Sequence, residues 1–227
     1  MDIDIVYRPT YSLGVIRLAA AEKVRVEGGA MVSMHTDMTI ETGATGGLMK
    51  SLARKMLTSE SFFQNTYTAG PNGGEVTVAP ALPGDLMLLP LDGSTAYMLQ
   101  GGDYVASELG VQVDSKWGGA KTFFAGEGLV MLRCSGSGQM LISSYGAIHE
   151  MNLAAGQAYT VDTGHLVAFQ EGMGLRIRRV GGLKSTLFSG EGIVCDLSGP
   201  GKVLLQTRSF NAFVSFLVPQ LPSNRTT

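Results

Sequence analysis

The sequence predicts an all-β chain, a sandwich or barrel of short strands interrupted by one inserted helix and closed by a short C-terminal one. Three observations predict it. Apolar and polar residues alternate with period two in short segments bounded by glycine. Glycine is also abundant, with 31 in 227 residues, about twice the usual share. Finally, the chain resembles itself at a regular interval, the mark of a repeated supersecondary unit.

The clearest strand is Lys23–Glu27, where Val24 and Val26 point one way and Arg25 and Glu27 the other. Tyr159–Asp162 repeats the pattern, and the glycines that follow Glu27 suit a turn needing positive φ. The segment LAAAEKVRVEGGAMVSM from Leu18 aligns without a gap on LAAGQAYTVDTGHLVAF from Leu153, over seventeen positions. A middle copy is read at LPLDGSTAYML from Leu89, with Leu91, Asp92 and Gly93 set on Val26, Glu27 and Gly28. A second element recurs as GPNGGEVTV, SGSGQMLIS and SGPGKVLLQ, whose closing glycines Gly74, Gly138 and Gly201 are 64 and 63 residues apart. Phenylalanines lead into each copy: Phe62-Phe63, Phe123-Phe124 and Phe188. The expected organisation is one unit, residues 1–227, of three internal repeats at about 13–79, 82–149 and 153–218. Pro90 cannot donate to a ladder, so its strand is expected at a sheet edge.

Two stretches follow a helical period instead. Residues 47–58 place Leu48, Leu52 and Met56 on one face, with Lys50, Arg54 and Lys55 largely off it. Phe210, Phe213, Val214 and Leu217 predict a C-terminal helix over 209–217, stopped by Pro219.

Composition excludes several classes of function. Seventeen basic and nineteen acidic residues leave no electrostatic footprint for DNA. The two cysteines, Cys134 and Cys195, lie far apart in apolar runs, which argues against a disulfide framework or a structural zinc. The opening MDIDIVYRPTYS has no apolar core of a secretory signal, so the cytoplasm is the expected location. Only 16% of residues are charged, 12 are methionine, and the mean hydropathy is +0.17. Apolar surface in that amount predicts a homo-oligomer, a dimer or trimer, whose permanent interface would bury ~2,000 Å² or more.

The motifs GGAMVSM, GGLMKSLARKMLTSESFF, KTFFAGEGLVML and the closing LLQTRSFNAFVSFLVPQLP resemble the bacterial branch of the altered-inheritance-of-mitochondria protein twenty-four family, over nearly the whole chain. The resemblance implies a fold like the tryptophan RNA-binding attenuation protein, a short variant of the double-stranded β-helix, in ring-like oligomers. It supplies no catalytic residues to carry over. Eukaryotic relatives are mitochondrial and tied to inner-membrane organisation; without a presequence here, that role is not transferred.

Candidate chemistry is thin. His35 and Asp37 form an HxD pair that, with His149 or His165, could make the two-histidine, one-carboxylate set of a non-haem iron oxygenase. Arg176, eleven residues after His165, could then hold an oxo-acid. The repeat alignment opposes this, because it sets His35 on Gln100 and Gln170, Asp37 on Gly102 and Gly172, and His165 on Ala30 and Thr95. GATGGLMKS from Gly43 has Met49 where a phosphate loop needs glycine before its lysine. The pairs Gly126–Gly128 and Gly190–Gly192 precede strands, unlike a dinucleotide fingerprint. An RNA-binding ring would need exposed aromatics among basic residues. The chain offers only Trp117 beside one lysine, and the run Arg176, Arg178, Arg179. The 47–58 helix has three basic residues with which to meet anionic lipid, too few to choose between lipid and protein. The expectation is therefore an oligomeric, non-enzymatic β scaffold or binding module, without cofactor, metal or DNA, with the iron oxygenase as the alternative and an RNA-binding ring as a further one.

Overall fold

The computed structural model describes residues 1–43, 64–114, 130–179 and 193–221. The 47–58 helix, Trp117, the paired glycines at 126–128 and 190–192, and the phenylalanine leads lie outside the described residues. Among the described residues the chain is built almost wholly of strands, β1 to β18, with one α-helix, α1 (Phe210–Leu217). The all-β expectation holds. No helix among these residues is long and apolar enough to cross a membrane.

At the N-terminal end, β1 (Asp2–Val6), β2 (Leu13–Leu18), β7 (Gly74–Val78) and β4 (Met31–Met34) make one antiparallel sheet in that order. In a second ladder β6 (Gln64–Thr68) runs between β3 (Lys23–Glu27) and β5 (Thr39–Gly43). The period of two in β3 explains its place: Val24 and Val26 are buried beside Ile16, Leu18, Val76 and Val78 of the other sheet. Arg25 turns outward and donates to the carbonyls of Val111 and Leu109, at 2.7 and 3.0 Å.

The C-terminal end is arranged alike. There β18 (Gly201–Gln206) runs between β13 (Ile148–Leu153) and β15 (Leu166–Gln170). A separate ladder sets β17 (Ile193–Ser198) between β14 (Ala158–Asp162) and β16 (Gly174–Arg179). Leu166, Phe169, Cys195, Leu197 and Val203 fill the space between them.

In the middle, one 13-residue strand, β12 (Met131–Ser143), serves both ladders. Its first half pairs with β9 (Tyr97–Gln100) and β11 (Val111–Asp114), its second with β8 (Leu86–Asp92) and β10 (Tyr104–Ser107). The change of ladder falls at Gly136 and Gly138, with φ of +94° and +136°. A Cβ at Gly136 would run into the Gly110 carbonyl, so only glycine fits. The middle core contains Leu99, Tyr104, Leu132, Met140, Ile142 and Leu204. Two pairings stitch the middle to the ends, Val26 with Ala106 and Leu99 with Ala168. Among the described residues β8 pairs on one side only, with Pro90 opposite Gln139, as a residue lacking an N–H requires.

The helix predicted over 209–217 is observed at Phe210–Leu217. Ser209 caps it, its hydroxyl accepting from the Ala212 N–H at 3.4 Å, and the α-helix gives way to a 3-10 turn containing Pro219. The Phe213 and Tyr145 rings meet in a T-shaped arrangement, with centroids 6.2 Å apart.

Candidate functional site: an acidic cavity beside the C-terminal helix

Strand β3 ends at Glu27, directly across its ladder from the buried Gln64. Nearby, the chain passes from β9 to β10 through a 3-10 turn, Gly101–Asp103, which carries Asp103 inward. Strand β12 ends at Ser143, and Ser144 and Tyr145 continue from it. These segments, together with Pro80–Leu82 and Phe210 of α1, enclose a cavity of about 400 Å³. Glu27 and Asp103 supply its acidic groups, while Pro80, Ala81, Leu82 and Phe210 supply apolar wall.

Asp103 is only 9% exposed, and its Oδ2 has no hydrogen-bond partner among the described residues. Its main-chain carbonyl accepts from the Ser143 hydroxyl at 3.4 Å. Burial pushes its carboxyl well above the usual range, and the charge of Glu27 pushes it further. Burial also raises the Glu27 carboxyl, to about 7. Both carboxyls of the cavity are thus pushed toward the neutral form, and Glu27 is divided between its two forms near neutrality. Protonated, each is a donor; ionised, each invites a cation.

The far wall is well tied. Gln206 accepts from the Tyr145 N–H at 2.8 Å and donates to the Gly164 carbonyl at 3.0 Å. His165 Nδ1 lies 2.7 Å from the Gln206 carbonyl, and Asp162 accepts from the Gly164 N–H at 2.7 Å. The turn before β15 therefore meets its own polar groups, unlike the turn at Asp103.

A smaller hollow of about 230 Å³ lies across Pro80–Leu82, lined also by Tyr11, Ser12 and Gly84. Beside it Asp85 is held by Arg8 through two bonds of 2.8 Å, by the Ser12 hydroxyl at 3.1 Å and by the Leu86 N–H at 2.9 Å. Burial pushes this carboxyl up, but the Arg8, Leu86 and Ser12 bonds together hold it below its ordinary value.

The residues singled out in the sequence lie elsewhere. His35 and Asp37 sit in the exposed turn after β4, where the His35 N–H donates to the Glu75 carbonyl at 2.9 Å. His149 is exposed on β13, and His165 holds the turn before β15. No group of three His, Cys, Asp or Glu side chains among the described residues could hold a metal. The thiols of Cys134 and Cys195 are buried, and burial raises them to about 12 and about 11. Both stay protonated and inert at neutral pH. In the basic run, Arg178 forks onto Asp196 at 2.8 and 3.0 Å, and Arg176 stands opposite the same aspartate. The acidic cavity was missed because Glu27 reads as an outward strand residue and Asp103 as part of a glycine turn. The available signal was the likeness of Gln100–Ala106, QGGDYVA, to Glu27–Ser33, EGGAMVS.

The chain is 27% identical to an uncharacterised protein of Streptococcus pyogenes serotype M6, over 94% of this chain and 88% of that relative. The crystal structure of protein SPYM3_0169 from Streptococcus pyogenes superposes with a TM-score of 0.77 at 27% identity, covering 97% of this chain and 99% of the other. Residues 3–208 match the sequence profile described as Mitochondrial biogenesis AIM24, and with a match over that much of its length the chain belongs to this family.

Proposed function

We propose that the chain is a non-enzymatic binding module on an oligomeric β scaffold, and that the acidic cavity is where it binds. The observation that carries this reading is convergence. Segments far apart in sequence meet around one cavity, with mainly apolar walls and two convergent carboxyl groups, the usual form of a small-molecule site. The inert thiols favour binding over covalent chemistry.

The ladders support a reading of the chain as three copies of one β unit, over about 13–79, 82–149 and 153–218, in the short double-stranded β-helix or attenuator-like form. Strands β7 and β18 and the second half of β12 each run between two partners, as do β6, β17 and the first half of β12. On this reading β9, not the Leu91–Asp92 segment, corresponds to β3. The middle copy moves eight residues along, bringing Asp103 to the position of Ala30 and His165.

Assembly is supported by β4, which pairs only with β7 among the described residues and exposes Met31 and Val32 along its length. A second or third copy would cover such an edge. Two free thiols suit the reducing cytoplasm.

Native mass spectrometry of the purified full chain tests this reading. The expected result is a dimer or trimer that carries, or takes up from a small-molecule panel, a ligand in the cavity. A 23.9 kDa species that binds nothing would contradict it.

A further inference from the structure

We propose that the cavity bounded by Glu27 and Asp103 binds an organic cation, an ammonium or guanidinium head on a small apolar body. The inference rests on the binding-module reading and names the ligand class for that site.

Asp103 is the first argument. Its Oδ2 is buried on the cavity wall without a partner, and a buried, unsatisfied carboxylate oxygen is costly. Its turn sits between β9 and β10, whose pairings with β12, β15 and β3 fix both flanks. The acid is therefore held in place with an acceptor to offer. Glu27 is the second argument. It lines the same cavity, close enough for its charge to act on Asp103. Among the described residues neither acid has a basic partner, so the pair complements a donor-rich positive head.

The walls set the rest of the ligand. Pro80, Ala81, Leu82 and Phe210 offer apolar contact to a short hydrocarbon body, and about 400 Å³ accommodates a small molecule. Among the described residues fewer than three His, Cys, Asp or Glu side chains gather here, fewer than a divalent ion's usual side-chain set. A nitrogen cation draws both acids into the ionised form as it binds, their protons passing to water, and needs beyond them only the hydroxyl and carbonyl oxygens alongside.

Gly102 provides a test that leaves the acids intact. It lines the cavity, and a Cβ built on it meets nothing within 4 Å, so a larger side chain has room there. Calorimetric titration and NMR of the full chain would use n-butylammonium and methylguanidinium, with n-butanol and butyrate as neutral and anionic counterparts. The expected result is binding of the two cations, with shifts at Tyr145 and Phe210, and little or none of the counterparts. Asp103→Asn and Glu27→Gln should each weaken cation binding about tenfold or more. Gly102→Leu should abolish it while the thermal unfolding curve stays cooperative. Equal binding of n-butanol, or full cation affinity in Asp103→Asn, would overturn the cation and leave the binding module standing. Zinc or magnesium bound in place of the ammonium would do the same. If none of the four organic probes binds, the cation inference falls; if the wider small-molecule panel is also silent, the binding module falls with it.

Discussion

Two buried aspartates, Asp85 just after the Pro80–Leu82 segment and Asp103 on the cavity that this segment lines, behave in opposite ways. Asp85 is 4% exposed and Asp103 is 9% exposed, so burial alone does not separate them. Asp85 meets a guanidinium, a hydroxyl and an N–H; Asp103 has a bare Oδ2 and another acid for a neighbour. The first is held ionised and ties the N-terminal segment to the start of β8. The second is pushed toward the neutral form and opens onto a cavity. The difference teaches that a buried carboxyl is structural when the fold supplies its donors, and is free to take a ligand when the fold withholds them.

The largest expected effect falls on the structural partner. Asp85→Ala should cost about 3 kcal/mol in urea unfolding, because the Ser12 hydroxyl and Leu86 N–H lose their acceptor. Arg8 is half exposed and can turn to water, which keeps the loss below that of a fully buried pair. A loss well under 1 kcal/mol would erase the contrast.

Asp103→Asn should do the reverse. It should raise stability by about 1–2 kcal/mol at about pH 8, and change little at about pH 4, where the native acid is already protonated. A loss of stability at the higher pH would show that the carboxylate has an internal partner.

Stability against pH sharpens the comparison further. The folded pKa of Asp85 lies below its unfolded value, so its contribution is present above about pH 4 and is lost as the pH falls through the folded value. Glu27 has a folded value of about 7 against 4.5, so the folded state keeps a proton that the unfolded state releases in that window. Stability therefore declines as pH rises from 4.5 to about 7. The native protein should be most stable at about pH 5, and Glu27→Gln should lessen the decline on the neutral side, leaving the share that Asp103 contributes.

The smallest effect is expected at Arg178, whose fork onto Asp196 is exposed. Arg178→Ala should leave the urea midpoint nearly where it was, although Asp196, held at about 2 chiefly by that bond, will titrate higher.

Much of the frame was legible in the sequence, because local rules decide it. Val24 and Val26 against Arg25 and Glu27 dictate a half-buried strand, Pro90 dictates an edge, and Phe210, Phe213 and Leu217 with Ser209 dictate a capped helix. The site was not legible, because tertiary packing decides it. Glu27 lies on the outward side of its own strand and becomes part of a cavity only when Pro80–Leu82, Ser143–Tyr145 and Phe210 close around it. Asp103 and Asp85 are the same residue type near glycines, and nothing local shows that one will meet Arg8 and the other no cation.

Carboxyl-carbon NMR of the full chain, following Asp85 and Asp103 from about pH 2 to about pH 9, is the most direct measurement. The account predicts that Asp85 titrates below its ordinary value and Asp103 well above its own. An Asp103 carboxyl that titrates at or below the ordinary aspartate value, or above Asp85 by nothing measurable, would contradict it.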